Sequence, residues 1–322
     1  MPTLLSDKAV AEVSMKHLKS VAAIALTFIA VQILAMVFMY YALSPADQVF
    51  QNPDDPMIAV YYLVLLLAFT GLFLVLVKFG FASIMKAVFF VSIGFVVFFV
   101  AGALCAILTE DAAIVTATGI CFALISIVSL WKHPEWYVID SVGLVMSIGM
   151  VALLGISLSV IPILLLLIAL AVYDFLSVYK TKHMLTLADG VSEMGLPLLL
   201  VIPKKLPYSY MESKPKIKVP QDEEKPEREA FLIGLGDIII PGLLSASAFW
   251  FITSPKMFLG IPSYLAVALG TVAGAVVGLV FLMRIVIKGN PQAGLPLLNT
   301  GAVLGFFVTY ILVFGLDFSF IS

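Results

Sequence analysis

Apolar runs of about 20 residues recur along most of this 322-residue chain, and a run of that length is what a helix needs to cross the hydrocarbon core of a bilayer. Nine such runs can be drawn, at roughly 21–43, 57–79, 83–108, 112–131, 139–157, 159–180, 230–252, 262–287 and 294–315. Only Gly155, Ser157, Ser159 and Pro162 separate the fifth from the sixth, so that connection must be very short. The expected fold is an all-α membrane protein of nine transmembrane helices. Composition agrees: 62% of residues are hydrophobic and 12% charged, about half the charge of a soluble domain. The first run follows Lys8, Lys16 and Lys19, but it is too long for a signal-peptide core and no small-residue cleavage site follows. It is read as a retained helix.

The charges test the helix count independently, because Lys and Arg collect in cytoplasmic loops. Seventeen of the 18 basic residues fall on one side when the nine spans alternate, and only Lys256 falls on the other. That other side carries Asp47, Asp54, Asp55, Glu110, Asp111 and Asp317. The amino terminus is therefore expected in the cytoplasm and the carboxyl terminus outside, in a cell membrane. The near balance of 18 basic and 20 acidic residues argues against a nucleic-acid partner.

The chain divides into an amino-terminal six-helix part (1–182), a cytoplasmic loop (183–229) and a carboxy-terminal three-helix part (230–322). The loop's second half, KPKIKVPQDEEKPERE, cannot bury enough apolar surface to fold alone and is expected to be mobile. Its first half contains Gly195-Leu-Pro-Leu-Leu-Leu-Val-Ile-Pro203, too short to span. Cys105 and Cys121 lie in apolar segments and are read as small buried hydrophobes. Gly270, Gly274 and Gly278 recur every four residues and are read as a helix-packing seam.

Eighteen of the 20 acidic residues can be placed in loops, tails or helix ends. Two cannot: Asp174 in LALAVYDFLSVY and Asp237 in AFLIGLGDIIIPGLL. An ionisable group at the centre of a span costs at least about 2.5–3.5 kcal/mol on insertion scales, and no Lys, Arg or His lies inside either span. Asp174 precedes Lys180 by six residues, about 9 Å of helix; Asp237 follows Glu229 by eight, about 12 Å. Both carboxyls are thus expected at similar depth on antiparallel helices. If those helices are neighbours, the pair shares one proton, since two adjacent carboxyls in a low-dielectric site cannot both ionise easily. That state suits peptide hydrolysis: the ionised carboxyl takes a proton from water, and the protonated one polarises the scissile carbonyl and later helps protonate the leaving nitrogen. Which aspartate takes which role is not readable here.

Around this pair, Gly234 and Gly236 flank Leu235 and leave room for close backbone approach, or form a helix-packing face. Tyr173 offers a hydroxyl or a ring wall beside Asp174, or simply packs. Pro296 in QAGLPLLNTG interrupts an apolar run, and irregular backbone at membrane depth is tolerated only when buried in protein or lining a wet cavity. The expected substrate-contacting residues are Tyr173, Gly234, Leu235, Gly236, Pro296, Leu297 and Leu298. Three other readings stand beside hydrolysis, the plainest being buried, hydrogen-bonded carboxyls that only pin two helices. A proton-coupled transporter also uses intramembrane acids, but should show matched broken helices in internal repeats. A prepilin-peptidase-like enzyme shares a GxGD-type motif, but many of its members carry paired cytoplasmic cysteines. Zinc and serine intramembrane proteases are excluded by the lack of HExxH and GxSG. His17, His133 and His183 lie outside the apolar cores. No metal or organic cofactor is implied.

Tyr173-Asp174 in one span, Gly234-Leu235-Gly236-Asp237 in a later one, and the proline motif near the last resemble the presenilin and signal peptide peptidase family of intramembrane aspartyl proteases. The inferred orientation resembles the presenilin branch and its archaeal homologues, since signal peptide peptidases lie the other way round. One departure is that the family's usual Pro-Ala-Leu reads Pro296-Leu297-Leu298 here. The resemblance implies substrates that are single transmembrane peptides unwinding near the aspartates. It also implies that part of the loop between spans six and seven can pair with them as a strand, with 196–202 and 228–233 as candidates here. Accessory subunits are not implied, because archaeal homologues are thought to act without them. Homo-oligomerisation and loop cleavage stay open.

Overall fold

The computed structural model of the chain describes residues 3–177, 199–203, 208–213, 230–287 and 293–316. Among these, nine long helices appear in the expected order: α1 (Thr3–Ala42), α2 (Met57–Lys78), α3 (Ala82–Ala106), α4 (Ala112–Lys132), α5 (Trp136–Ser157), α6 (Val160–Leu176), α7 (Leu235–Phe251), α8 (Ser263–Ile287) and α9 (Leu295–Phe314). Two strands, β1 (Leu199–Pro203) and β2 (Ala230–Gly234), pair antiparallel ahead of α7. A one-turn helix, Tyr210–Ser213, lies between them in sequence. A tight hairpin, β3 (Met257–Phe258) and β4 (Ile261–Pro262), joins α7 to α8. Its turn residues Leu259 and Gly260 both have positive φ, 51° and 83°, as a two-residue hairpin with strand-matching twist requires.

The first span stands where expected, at Val21–Ala42, within a helix that begins at Thr3. Three expectations change. Residues 230–234, read as the opening of the seventh span, are strand, so the helical depth reckoned from Glu229 to Asp237 does not hold. Pro296 does not interrupt a helix but lies in the first turn of α9, where its missing N–H would have no partner anyway. Cys105 is half-buried and Cys121 exposed, on the face of α4 turned away from the bundle. The expected mobility of 183–229 falls largely on residues outside those described, as do Lys180, Lys182, His183 and Asp317.

α7 is the axis of the bundle. Its residues 241–248, PGLLSASA, are all buried, and α1, α5, α6, α8 and α9 pack around it. Small side chains make this possible: a Cβ on Gly155 of α5 would come within 2.4 Å of the Ala246 methyl. Without a hydrophobic drive between helices in lipid, such close backbone approach is what packing has to offer. Near its middle, Pro241 removes the N–H that would bond the Asp237 carbonyl. Gln32 of α1, 1% exposed, reaches this stretch. Its Nε2 donates to the Ile238 carbonyl at 3.5 Å, and its Oε1 accepts from the Ser245 hydroxyl.

The glycine seam is real and it serves α9. A Cβ on Gly274 would meet the Gly301 carbonyl at 2.2 Å, and one on Gly278 the Leu297 carbonyl at 2.4 Å. Backbone therefore lies on backbone along α8 and α9, which fixes the start of α9. Gly71, by contrast, has nothing within 4 Å of a Cβ position. Gly274→Ala should lower stability by about 1–3 kcal/mol, the usual penalty of overpacking. Gly71→Ala should leave it unchanged or slightly raised. Thermal unfolding midpoints of the purified variants in detergent check both.

Candidate functional site

α6 and α7 are the two short apolar helices, 17 residues each. At 1.5 Å per residue each covers about 26 Å, somewhat less than a typical hydrocarbon core. Each carries one of the two aspartates close to its end. Asp174 lies in the last turn of α6, and Asp237 is the third residue of α7. Immediately ahead of the helix that carries Asp237 the described chain is not helical. Ahead of α7 the irregular stretch is β2, whose backbone groups pair with β1 from Leu199↔Gly234 to Pro203↔Ala230. That pairing bonds the facing edges of the two strands within the protein, as non-helical backbone at membrane depth requires.

The start of α9 brings the acids together. The Leu295 N–H donates to Asp174 Oδ2 at 3.1 Å, with the Gly294 amide directed at the same carboxyl. A Cβ placed on Gly294 would lie 2.8 Å from Asp237 Oδ1 and 3.1 Å from Oδ2. One peptide unit, Gly294–Leu295, is thus flanked by both carboxyls, and they interact electrostatically. Asp174 is 4% exposed and Asp237 partly open.

The local electrostatics follow from helix polarity. Asp174 sits at a helix C-terminus, where the macrodipole disfavours negative charge, and the orphan amides at the start of α9 offset this. Asp237 sits in the first turn of its own helix, where the dipole favours an anion. The carbonyl of Asp174 accepts from the Ser177 hydroxyl at 3.0 Å, so the end of α6 is capped.

The other expected residues divide into two groups. Gly234 lies beside the pair, 3.5 Å from Asp237 Oδ2 at its Cβ position. Tyr173, Pro296 and Leu297 are half-buried, and Gly236 is exposed. Leu235 and Leu298, 4% and 0% exposed, belong to the core. Leu235 packs over Gly143 of α5, whose Cβ position is 3.4 Å from the leucine methyl. Sequence reading passed over Gly294, Leu295 and Asn299. Asn299 Nδ2 donates to the Leu167 carbonyl at 2.9 Å and ties α9 to α6. The available signal was a glycine two residues before Pro296 and an amide inside an apolar run.

One turn deeper than the acids, an apolar cavity of about 430 Å³ opens between α2, α3, α5, α6 and α7. Leu166 and Leu170 of α6, and Ile239, Ile240 and Leu243 of α7, form its inner wall. Among the described residues no three His, Cys, Asp or Glu side chains cluster as a metal site would need.

With this geometry in hand, comparison with known proteins is informative. A family model described as "Signal-peptide peptidase, presenilin aspartyl protease" matches residues 24–316. Two solved structures, both of a presenilin family intramembrane aspartate protease, resemble the chain at 32% identity. In the C222 crystal form the TM-score is 0.64, covering 91% of this chain and 99% of the other. In the P2 form it is 0.61, covering 90% and 97%. A search of curated proteins gave no match.

Gly294 adopts ordinary helical angles, φ −78° and ψ −47°, so alanine is conformationally allowed there and only the contact with Asp237 opposes it. Gly294→Ala should preserve the fold and cut cleavage of a transmembrane reporter peptide by about 100-fold, the cost of misplacing a reacting group by about 1 Å. Initial rates set against thermal midpoints check this.

Proposed function

The chain belongs to the signal-peptide peptidase and presenilin family of aspartyl proteases, and from that membership we propose that Asp174 and Asp237 are its catalytic pair. The protein is an intramembrane aspartic endopeptidase, a multi-pass membrane protein that hydrolyses peptide bonds within transmembrane segments. What carries the assignment of the pair is the approach of both carboxyls to the single Gly294–Leu295 peptide unit.

In this reading one carboxyl is ionised and one protonated. The ionised group removes a proton from a water molecule, which attacks the scissile carbonyl. The protonated group donates a hydrogen bond to the carbonyl oxygen as charge develops on it, then supplies the proton to the departing nitrogen. The Leu295 amide bonds Asp174 and orients it, and Gly294 gives Asp237 the room to face the same point. Tyr173, Gly234, Gly236, Pro296 and Leu297 are the proposed substrate-contacting residues. Leu235 and Leu298 act through packing. The apolar cavity between α2, α3 and α6 is proposed to receive the substrate helix. A helix seated there would have Ile240 and Leu170, one turn from each aspartate, guiding it toward the acids.

The three parts, 1–182, 183–229 and 230–322, then have distinct tasks: one aspartate each in the first and third, and the strand-forming connection between them. The distribution of basic residues supports an amino terminus in the cytoplasm, a carboxyl terminus outside and a site nearer the cytoplasmic face. The reading needs no accessory subunit. Nothing in the family match or the structural neighbours supports a proton-coupled transporter.

Asp237→Ala and Asp174→Ala should each leave the protein folded in the membrane while lowering reporter cleavage by at least about 1,000-fold. A hydroxyl-bearing transition-state analogue of aspartyl proteases should inhibit the unmodified protein. Full activity in either variant would exclude the pair, and proton-coupled solute uptake into liposomes would restore the transport reading.

A further inference from the structure

α5 starts with two acidic residues on its cytoplasmic side, Glu135 and Asp140, and both hold parts of the long connection. Glu135 is the N-cap residue. Its Oε1 accepts from the Ser209 hydroxyl at 2.8 Å, and its Oε2 from the Tyr210 N–H at 2.9 Å. Asp140 lies in the second turn and is half-buried. Its Oδ1 accepts from the Val201 N–H at 2.8 Å. Asp140 had been grouped with the acids at helix ends, yet it is inside a helix that spans the membrane. A carboxyl there is costly unless it does something specific.

The bond it makes is placed to matter. Val201 is the central residue of β1 and faces Leu232 of β2. Its amide is directed at α5, so Asp140 occupies the edge of β1 that β2 leaves free. Two residues after Leu232, β2 ends at Gly234 and α7 begins, with Asp237 three residues on. One turn past Asp140, Gly143 leaves the space into which Leu235 and Leu200 pack, their methyls 3.4 Å and 3.6 Å from its Cβ position. α5 therefore holds this unit at two points, a hydrogen bond at Val201 and a packing contact at Leu235. Residues 235–237 are the next link in the chain.

We propose that Asp140 is a positioning residue: by fixing β1, and through the strand pairing the start of α7, it sets where the Asp237 carboxyl stands. Its hydrogen bond comes from Val201, not from either member of the proposed catalytic pair. The proposal rests on Asp237 being catalytic. The competing explanation is that the Asp140–Val201 bond only adds stability, so the test must separate rate from fold.

The full chain is reconstituted in lipid bicelles, and kcat and KM are measured on a transmembrane reporter peptide alongside thermal midpoints. Asp140→Ala should lower kcat by about 10-fold or more, with KM changed less than about twofold, as expected for a displaced reacting group. Its midpoint should stay close to that of the unmodified protein. Asp140→Asn keeps an acceptor oxygen and should recover kcat to within about threefold. Val201→Pro deletes the donor without removing a β1–β2 bond and should match Asp140→Ala, while the double variant should be no worse than either. The proposal is overturned if Asp140→Ala retains its kcat, if the asparagine variant is as impaired as the alanine one, or if rate falls only in step with folded protein. Should Asp140→Ala fail to accumulate, a normal kcat in Val201→Pro overturns it alone. Asp237→Ala is run in parallel. If that variant is inactive while Asp140→Ala is fully active, only the positioning role is lost; if Asp237→Ala is active, the catalytic pair itself is wrong.

Discussion

Two carboxyls must be kept in a medium that resists charge. No Lys, Arg or His occurs in α6 or α7, so the stabilisation comes from the backbone. Asp174 takes the Leu295 amide at the start of α9, and Asp237 takes the positive end of its own helix. Helix N-termini are natural anion sites because their first amides lack intrahelical partners and the peptide dipoles add up there. Two of them meeting at one point allow one negative charge to be held while the second carboxyl keeps its proton. A lysine in the same place would hold both acids ionised and leave no proton to donate.

This arrangement works only if three helix ends stay in register, and the supporting structure is built for that. The glycines of α8 press its backbone onto that of α9 and fix where the Gly294–Leu295 unit lies. Asn299 ties α9 to α6. Around α7, Pro241 loosens the first turns, and Gln32 and Ser245 hold the stretch below through buried hydrogen bonds. β1 and β2 let the chain leave helical conformation with the facing edges of the two strands bonded to each other, and Asp140 takes an amide on the other edge of β1. Rigid elements thus surround a place where the backbone is locally irregular, which suits an enzyme whose substrate must itself unwind.

Much of this was legible in the residues. Apolar runs gave nine helices with ends mostly within a few residues, because a bilayer sets helix length and leaves few alternatives. Asp174 and Asp237 stood out because an acid in an apolar run is costly and needs a reason. The glycine seam at 270, 274 and 278 was visible as spacing. What escaped depended on partners distant in sequence. Residues 230–234 look apolar enough to begin a span, and only pairing with 199–203 makes them a strand. Gly294 is an ordinary helical glycine whose importance lies in the Asp237 carboxyl beside it. Asp140 resembles a helix-end acid until Val201 is seen to donate to it. Pro296 was read as an interruption because the start of α9 could not be fixed to the residue.

The central claim is that the two carboxyls act on one point in space. The most direct measurement is an experimental structure of the protein with a hydroxyethylene peptide isostere bound, its hydroxyl standing for the attacked carbon's oxygen. The account predicts that hydroxyl within hydrogen-bond reach, about 2.6–3.2 Å, of carboxyl oxygens from both Asp174 and Asp237. A hydroxyl bonded to one acid alone, with the other turned away behind packed hydrocarbon, would contradict it.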